Sequence, residues 1–471
     1  MTATVADGVG FRSARGPILI ALMVTTGLVA IDSTILATAV PSVVADLGGF
    51  SQFPWLFSIY LLTQAVTVPI YAKLADTVGR KPIIIVGVSV FLVASILCGL
   101  AWSMPALIAF RALQGIGAGA IQPMAITIAG DIDTVAERAR VQGYIASVWA
   151  ISSVVGPTLG GVFSEFVSWR WIFFVNVPLC LLSLWLIGRH FRERIERQAH
   201  RIDYVGAALL AVGVSALILA LLEGDQAWAW VSVPSVAAFV LAAVALAVFV
   251  VVERRAREPI LPLGIFSRRL ITTTTLVSLG IGAMLLGLTS YVPTYLEGAL
   301  GVSPLLSGLA LASLTIGWPI SASLSGRIYL RLGFKPTVLI GVAISVVGTL
   351  LLALTASTPS LLVVAIACFI TGLGFGLAAS PSLIAAQSSV DWAERGVVTG
   401  ANLFARSVGS AVGVAVFGAL ANGVFEASSA GDGDPGVVTA ASTTVFVAVA
   451  CCSVITVVAG LLMPPVRAER S

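Results

Sequence analysis

Fourteen apolar segments follow one another along the chain, each about long enough to cross a membrane as a helix. A membrane-spanning helix needs about 20 predominantly apolar residues. Only 10% of the 471 residues are charged, whereas soluble domains carry roughly a quarter. The sequence therefore predicts an all-α integral membrane protein. The segments lie near residues 17–39, 54–72, 83–101, 104–128, 141–163, 171–188, 204–222, 231–252, 270–291, 305–326, 337–355, 361–385, 397–420 and 443–463.

The loops between these segments alternate in charge. Of the 26 lysines and arginines, 23 fall in the two tails and the even-numbered loops, and the others are Arg111, Arg170 and Arg406. Positive charge concentrates in cytoplasmic loops, so the pattern predicts cytoplasmic termini and a multi-pass protein of the inner (plasma) membrane. The first segment is longer than the core of a signal peptide and contains Asp32, which predicts a retained helix.

The two halves of the chain repeat one another. The Ala-Glu-Arg of residues 136–138 recurs 257 residues later, at 393–395, and the three alternate glycines of residues 115–119 recur at the same offset. Two parallel repeats of six helices suit a transporter whose site lies near the midplane.

Two long basic loops, at residues 189–201 and 253–269, bracket a pair of segments with few polar residues. This composition predicts that the pair is an insert between two larger units. The expected domains are a six-helix bundle at 1–190, a two-helix insert at 191–260 and a second six-helix bundle at 261–471.

Asp32 and Arg111 lie inside apolar segments at similar depth. Each is about seven or eight residues from the outer end of its helix, and a helix rises 1.5 Å per residue. A charge at this depth costs at least about 2.5–3.5 kcal/mol unless it is paired or wetted, so a pair is expected. Burial disfavours a charged carboxylate and a nearby arginine favours it, so a movable pair can load and release a proton. The alternatives are a permanent ion pair, or an Arg111 that reaches the surface or serves only as a structural centre of hydrogen bonds. Glu297 is a second candidate acid.

The charged turn at residues 72–82 contains Asp76, Gly79, Arg80 and Lys81. In this spacing it resembles the loop motif of the major facilitator superfamily, with Ala72 in place of the first glycine of that motif. In the superfamily this loop latches the cytoplasmic side, which implies that Asp76 meets Arg138, Arg140 or the helix start near Gly396. Leu330 replaces the acid in the second copy of the turn. The alternative is a solvated loop without a latch. The expected gate consists of Lys73, Asp76, Gly79, Arg80, Lys81 and Arg138.

The spacing of Arg111, Gln114 and Gly115 resembles the fourth-helix motif of the same superfamily. The surroundings of Asp32, a fifth-helix pattern with Ser152 where glycine is usual, and the string at residues 168–173 with Asn176 and Pro178 resemble motifs of the fourteen-helix drug:proton antiporters, the multidrug efflux pumps of the quaternary-ammonium resistance type. The resemblance runs from residue 16 to about residue 462, and it implies the major facilitator fold with two inserted helices. The fifth-helix residues are Gly143, Gly156, Pro157, Gly160 and Gly161.

The resemblance implies a proton-driven exporter of amphipathic small molecules that works by alternating access. Tyr60, Gln114 and Trp149 are the expected substrate-cavity residues. A proton-coupled uptake symporter of the same fold and a lipid or metabolite exporter are the alternatives. The fifth-helix pattern favours export.

Enzyme activity is not expected, because both histidines, His190 and His200, lie in one charged loop and the five cysteines have no metal spacing. We therefore expect no metal and no cofactor, with protons as the coupling ion. The charge of +4 is not clustered on a soluble domain, so no nucleic-acid partner is expected. The expected partners are the substrate and the lipid bilayer, and the chain is expected to function as a monomer.

Overall fold

Fifteen α-helices make up most of the computed structural model, which describes residues 10–11, 13, 15–48, 55–132, 135–193, 203–223, 228–229, 231–256, 259, 263–302, 304–428 and 434–466. The helices are α1 (Gly16–Leu47), α2 (Trp55–Val78), α3 (Arg80–Gly99), α4 (Met104–Ile132), α5 (Val135–Phe166), α6 (Trp171–Phe174), α7 (Asn176–His190), α8 (Tyr204–Glu223), α9 (Val233–Arg255), α10 (Arg269–Leu300), α11 (Pro304–Leu332), α12 (Phe334–Thr355), α13 (Leu361–Ser388), α14 (Arg395–Ala427) and α15 (Pro435–Leu462).

Within the described residues, twelve helices are long and apolar enough to cross a membrane, with α6 and α7 forming one continuous candidate span. Each of the fourteen predicted segments falls on a helix. The twelve do not include α5, nor α8, whose apolar stretch within the described residues is Val205–Leu221. The count of fourteen membrane spans and the cytoplasmic position of the termini therefore stay predictions.

The chain divides into two compact units. The first comprises Met1–His200 together with the short segment Asp391–Thr399, and the second comprises Arg201–Val390 and Gly400–Arg470. Helices α8 and α9 pack against each other and belong to the second unit. The separate insert at residues 191–260 stays a prediction. The first few residues of α14, by contrast, group with the first unit, which the repeat pattern did not indicate.

The repeated glycines bring the helices of each unit close together. A Cβ atom on Gly115 of α4 would lie 2.4 Å from the Tyr60 carbonyl oxygen of α2, and one on Gly117 would lie 2.6 Å from an amide nitrogen of α3. In the second unit, Gly372 of α13 faces α11 and Gly374 faces α12 in the same manner. Alternate glycines point to two neighbouring helices because successive residues of a helix face different directions.

The repeated turn has the same backbone conformation in both units. Gly79 precedes α3 with a φ of 108°, and Gly333 precedes α12 with a φ of 92°. Residues with a Cβ rarely adopt these values. Glycine at this position therefore allows a sharp turn between two antiparallel helices.

The lysine two residues later ties the turn to the last helix of each repeat. Lys81 Nζ donates to the carbonyl oxygens of Gly188, at 2.9 Å, and Phe191, at 2.6 Å, at the end of α7. Lys335 Nζ donates to the carbonyl oxygen of Leu461 at 2.7 Å, at the end of α15. A cation is favourable at a helix C-terminus, where carbonyl groups lack intrahelical partners.

Arg170, the single basic residue of the odd-numbered loops, is neutralised locally. Its Nη1 donates to Asp46 Oδ2 at 2.6 Å, and Trp169 Nε1 donates to the same oxygen at 3.0 Å. These hydrogen bonds, with that of Arg170 the larger contribution, hold the pKa of Asp46 below its usual value. The exception to the loop charge pattern is thus one half of an ion pair at the end of α1.

Candidate functional site

Asp32 of α1 and Arg111 of α4 form a buried ion pair in the first unit. Arg111 Nη1 lies 2.6 Å from Asp32 Oδ2, and each side chain is 1% exposed. The other carboxylate oxygen accepts hydrogen bonds from Gln114 Nε2 at 2.8 Å and Asn176 Nδ2 at 3.1 Å. Three donors therefore surround one carboxylate, which is the environment that a buried charge requires.

The guanidinium of Arg111 is fixed by further contacts. Its Nε donates to the carbonyl oxygen of Leu56 at 3.1 Å, and its Nη1 also donates to Gln114 Oε1 at 2.8 Å. The group lies over the ring of Tyr60, 4.2 Å from the centroid. These contacts hold the cation between α2 and α4, facing Asp32.

Five helices supply this arrangement. Arg111 and Gln114 are three residues apart, so they share one face of α4. Gln114 Nε2 also donates to Ser95 Oγ of α3 at 2.9 Å. We call Asp32, Ser95, Arg111, Gln114 and Asn176 the Asp32 network. The sequence indicated Asp32, Arg111 and Gln114. It marked Asn176 only as part of a family motif, without a link to Asp32, and it gave no role to Ser95.

The expected cavity residues occupy different environments. Tyr60 is 1% exposed and Gln114 is 0% exposed, because both surround Arg111. Trp149 of α5 is half-buried against the apolar core of the first unit. Glu297, the second candidate acid, is half-buried in α10 of the second unit and accepts a hydrogen bond from Ser307 at 2.5 Å. Within the described residues, no group of three or more histidines, cysteines or acids is placed to hold a metal.

Arg80 is the centre of a second charged cluster, at the turn between α2 and α3. Its side chain is 0% exposed, and its nitrogens lie 2.6 Å from Asp76 Oδ1 and 3.0 Å from Asp131 Oδ2. It also donates to the carbonyl oxygens of Ala75, at 3.0 Å, and Trp392, at 2.9 Å. The guanidinium carbon lies 3.7 Å from the centroid of the Trp392 ring.

Asp76 also caps the start of α14. Its two carboxylate oxygens accept hydrogen bonds from the backbone amides of Gly396, at 3.1 Å, and Val397, at 2.8 Å. The first amides of a helix lack intrahelical partners and carry partial positive charge, so a carboxylate is favoured there. The partner expected near Gly396 thus contacts Asp76, and Arg80 supplies an ion pair that the sequence did not assign.

Asp131, at the end of α4, joins the other members of the cluster. Arg395 Nη1 donates to Asp131 Oδ1 at 3.2 Å and to the carbonyl oxygen of Gly130 at 3.3 Å. The buried Arg138 interacts electrostatically with the same carboxylate. We call Asp76, Arg80, Asp131, Trp392 and Arg395 the Arg80 cluster. Its charges are mutually compensated, although they come from distant parts of the chain.

Residues next to the cluster join α3 to α7. Both carboxylate oxygens of Glu193 accept hydrogen bonds from α3, from the amides of Arg80 at 2.8 Å and Lys81 at 2.9 Å. Lys73 lies half-buried one turn before the end of α2. The sequence gave no role to Glu193, Asp131 or Trp392, because each is distant along the chain from the turn that it contacts.

Gly156 of the fifth-helix pattern packs against α1. A Cβ atom at this position would lie 2.0 Å from Thr34 Oγ1, and that hydroxyl donates to the carbonyl oxygen of Ser152 at 2.9 Å. Gly143 and Gly160 are buried, whereas Gly161 faces open space. The side chain of Pro157 lies outside the described residues.

Comparison with known sequences connects this chain to membrane transporters. The family model described as "Major Facilitator Superfamily" matches residues 22–414. The multidrug transporter protein MdtP of Bacillus subtilis is 36% identical over 413 residues, which cover 88% of this chain and 76% of that protein. Multidrug resistance protein 3 of the same organism is 36% identical over 410 residues, with coverage of 87% and 80%. The efflux pump FUS6 of Gibberella fujikuroi is 32% identical over 422 residues, with coverage of 86% and 75%.

Solved structures of transporters share the fold. The human organic anion transporter MFSD10 (TETRAN) superimposes with a TM-score of 0.68 at 15% identity, covering 94% of this chain and 99% of that one. The proton:xylose symporter XylE superimposes with a TM-score of 0.65 at 13% identity, covering 96% of each chain. At these identities the likeness concerns the arrangement of helices only.

Proposed function

The chain belongs to the Major Facilitator Superfamily, and we propose that it exports amphipathic small molecules across the inner (plasma) membrane in exchange for protons. Members of this superfamily are transporters rather than enzymes. The observation that carries the proton-coupled part of the proposal is the buried Asp32–Arg111 pair. The printed names of the bacterial relatives support the multidrug part.

Asp32 is the proposed proton carrier. It lies near the middle of α1, whereas the other strongly buried carboxylates of the described residues, Asp76 and Glu253, lie within three residues of a helix end. Its burial separates it from water in this conformation, so proton exchange requires a conformational change. When the carboxylate accepts a proton, its attraction for Arg111 weakens, and the network can rearrange.

The proton gradient supplies enough energy for export. One proton that crosses about 100 mV yields about 2.3 kcal/mol. Each 1.4 kcal/mol corresponds to a tenfold ratio, so this energy supports a roughly fifty-fold substrate gradient. Under this proposal the chain requires no cofactor beyond the coupling proton.

The Arg80 cluster is the proposed cytoplasmic latch. Helix α14 starts within the first unit, where Asp76 binds its first amides, and continues into the second unit. Release of this start from Asp76 would let the cytoplasmic side open. We further propose that the chain crosses the membrane fourteen times, that both termini lie in the cytoplasm, and that the protein functions as a monomer. Accessibility of single engineered cysteines in successive loops tests the topology.

The experiment begins with a growth-inhibition survey of cationic, neutral and anionic amphipathic compounds, in cells with and without the gene. The purified chain is then placed in proteoliposomes, and proton movement is followed with a pH-sensitive dye when a compound from the survey is added. Protons and compound are expected to move in opposite directions. Movement of both in the same direction would instead support an uptake symporter.

The matched variants are Asp32→Asn and Asp46→Asn, which remove a carboxylate from the same helix. Asp32→Asn is expected to insert normally but to lose compound-driven proton movement, whereas Asp46→Asn keeps it. Compound-driven proton movement that survives in Asp32→Asn would show that another group carries the proton.

A further inference from the structure

Arg406 is an arginine inside a candidate membrane span of the second unit. It lies on α14, in the apolar stretch Arg395–Phe425. A cation within such a stretch costs at least about 2.5–3.5 kcal/mol at the bilayer centre. Intramembrane cations therefore usually pair with an anion or face a wet cavity, and they commonly mark a functional site.

The surroundings of Arg406 differ from those of Arg111. Arg111 contacts a carboxylate, an amide and a backbone carbonyl, and it is fully buried. In the part of the chain that the structure describes, no carboxylate and no other hydrogen-bond acceptor contacts the Arg406 guanidinium. Arg406 is also only partly buried. Among the described residues, no counter-charge therefore contacts the positive charge of Arg406.

An aromatic ring is the neighbour that the structure gives this guanidinium. Its carbon lies 5.9 Å from the centroid of Trp318 on α11. The ring of Phe375 packs edge-on against Trp318, with the centroids 5.5 Å apart and an angle of 68° between the planes. Phe375 is fully buried, so the indole beside the cation packs against the interior of the second unit.

Two polar residues, one turn before and one turn after Arg406, are already bonded to α10. Asn402 accepts a hydrogen bond from Ser278 Oγ at 2.9 Å, and Ser410 Oγ donates to the carbonyl oxygen of Gly282 at 3.0 Å. Residues four apart lie on one face of a helix. The backbones approach closely here, because a Cβ on Gly282 would lie 2.0 Å from the Arg406 carbonyl oxygen. Asn402 and Ser410 are thus hydrogen-bonded one turn before and one turn after Arg406, whereas the guanidinium of Arg406 donates to no acceptor among the described residues.

The internal repeat places Arg406 at a position that is aromatic in the first half. The 257-residue offset that relates the two halves pairs Arg406 with Trp149, one of the predicted substrate-cavity residues. The two halves thus present different chemistry at equivalent positions, a cation in the second and an indole in the first.

We propose that Arg406 and Trp318 bind an amphipathic organic anion, an aromatic carboxylate or sulfonate. This inference rests on the proposed export function and names a substrate class for it. The guanidinium is a planar fork of donors that matches a carboxylate or sulfonate, and the indole offers a face for an aromatic body. A bound anion supplies the counter-charge that none of the described residues places beside Arg406. An anionic lipid headgroup has the same chemistry, so the experiment separates the two sources.

The test uses two probes that share one fluorophore and differ in charge. Dansylglycine is an aromatic carboxylate, and dansylcadaverine is its cationic counterpart. Binding of each is measured by fluorescence titration of the purified full chain in nanodiscs of phosphatidylcholine, a lipid without net charge. The variants are Arg406→Gln, Arg406→Lys and Trp318→Leu. The matched control is Arg331→Gln, which removes an exposed arginine from the end of α11.

Removal of a charge-assisted hydrogen bond is expected to weaken dansylglycine binding about tenfold in Arg406→Gln. Arg406→Lys should lose less dansylglycine affinity than Arg406→Gln, and Trp318→Leu should weaken the binding of both probes. Arg331→Gln should bind dansylglycine as the unmodified chain does, and dansylcadaverine binding should not fall in Arg406→Gln. Equal dansylglycine affinity in Arg406→Gln and the unmodified chain, with monodisperse protein in both, would overturn the proposal.

Two further measurements separate the possible failures. Addition of phosphatidylglycerol to the nanodiscs should not displace dansylglycine, whereas displacement that depends on Arg406 would identify the lipid headgroup as the occupant and overturn the substrate assignment. Transport is measured separately in proteoliposomes. If anion binding depends on Arg406 but no transport occurs, the result contradicts the proposed export function alone. If export of every anion tested is unaffected by Arg406→Gln, the result contradicts this inference alone.

Discussion

The Arg80 guanidinium stacks on the Trp392 indole, with the guanidinium carbon 3.7 Å from the ring centroid. The same arginine donates to the Trp392 backbone carbonyl, although the two residues are 312 positions apart in the chain. Trp392 precedes α14, whose first amides bind Asp76. The aromatic ring therefore covers the buried arginine at the point where the proposed latch closes.

Trp392→Leu is expected to weaken this closure. A cation–π contact contributes about 0.5–1 kcal/mol at an exposed site and about 2 when desolvated, and Trp392 is 37% exposed. A loss of about 1 kcal/mol shifts a two-state population about fivefold. Modification rates of a cysteine placed on the cytoplasmic side should rise accordingly, while Trp392→Phe should retain much of the closure. Trp102→Leu, at an exposed indole of the same unit, is the control, and equal rates in all variants would contradict the role of Trp392.

Asp76→Asn should move the population toward the inward-open state and reduce export. The substitution removes the charge that faces Arg80 and the amides of Gly396 and Val397, while Asp131 still faces Arg80. Substrate affinity should change little, because these residues are distinct from the Asp32 network. Distances between spin labels on the cytoplasmic ends of α2 and α11 measure the distribution. If the distribution is unchanged in Asp76→Asn, the turn has no latch function.

Gly156→Leu is expected to impair transport without blocking membrane insertion. A Cβ atom at this position already meets Thr34 Oγ1 at 2.0 Å, so a larger side chain must force α5 away from α1. The matched control is Gly161→Leu, since a Cβ at Gly161 meets no atom within 4 Å. Export by both variants in proteoliposomes gives the comparison. Normal export by Gly156→Leu would show that the contact between α1 and α5 is not needed for the transport cycle.

Arg111→Ala should move the pH optimum of transport upward. The cation beside Asp32 favours the charged carboxylate, so its removal favours the protonated form. The pH profile of compound-driven proton movement measures the shift, with Arg170→Ala as a control that breaks an ion pair at the end of α1. A downward shift, or an unchanged profile in an active Arg111→Ala variant, would contradict the coupling of the two residues.

Several features of the protein follow from the sequence alone. Apolar segments must be helical in a membrane because the lipid offers no hydrogen-bond partners to the backbone. Asp32 and Arg111 could be paired in advance, because each is costly alone and both lie at the same depth. The turns at Gly79 and Gly333 form a repeat in the sequence. The structure gives its physical reason: a positive φ favours glycine, and the lysine two residues later contacts a helix end. In each case the free-energy cost of one local feature, an unpaired backbone group, a buried charge or a positive φ, leaves few possible arrangements.

The tertiary structure decided which distant side chains complete these sites. Asn176 and Ser95 reach the Asp32 network, and Asp131 and Trp392 reach Arg80, because of how the helices rotate and cross. Hydropathy predicts that a segment forms a membrane-spanning helix, but it does not predict which face of that helix packs against which neighbouring helix. The sequence predicted that Tyr60 lines the substrate cavity, and the contact of its ring with the Arg111 guanidinium came from the packing of the helices. The same physics leaves Arg406 with an indole and no carboxylate among the described residues, which pairing rules applied to the sequence alone do not reveal.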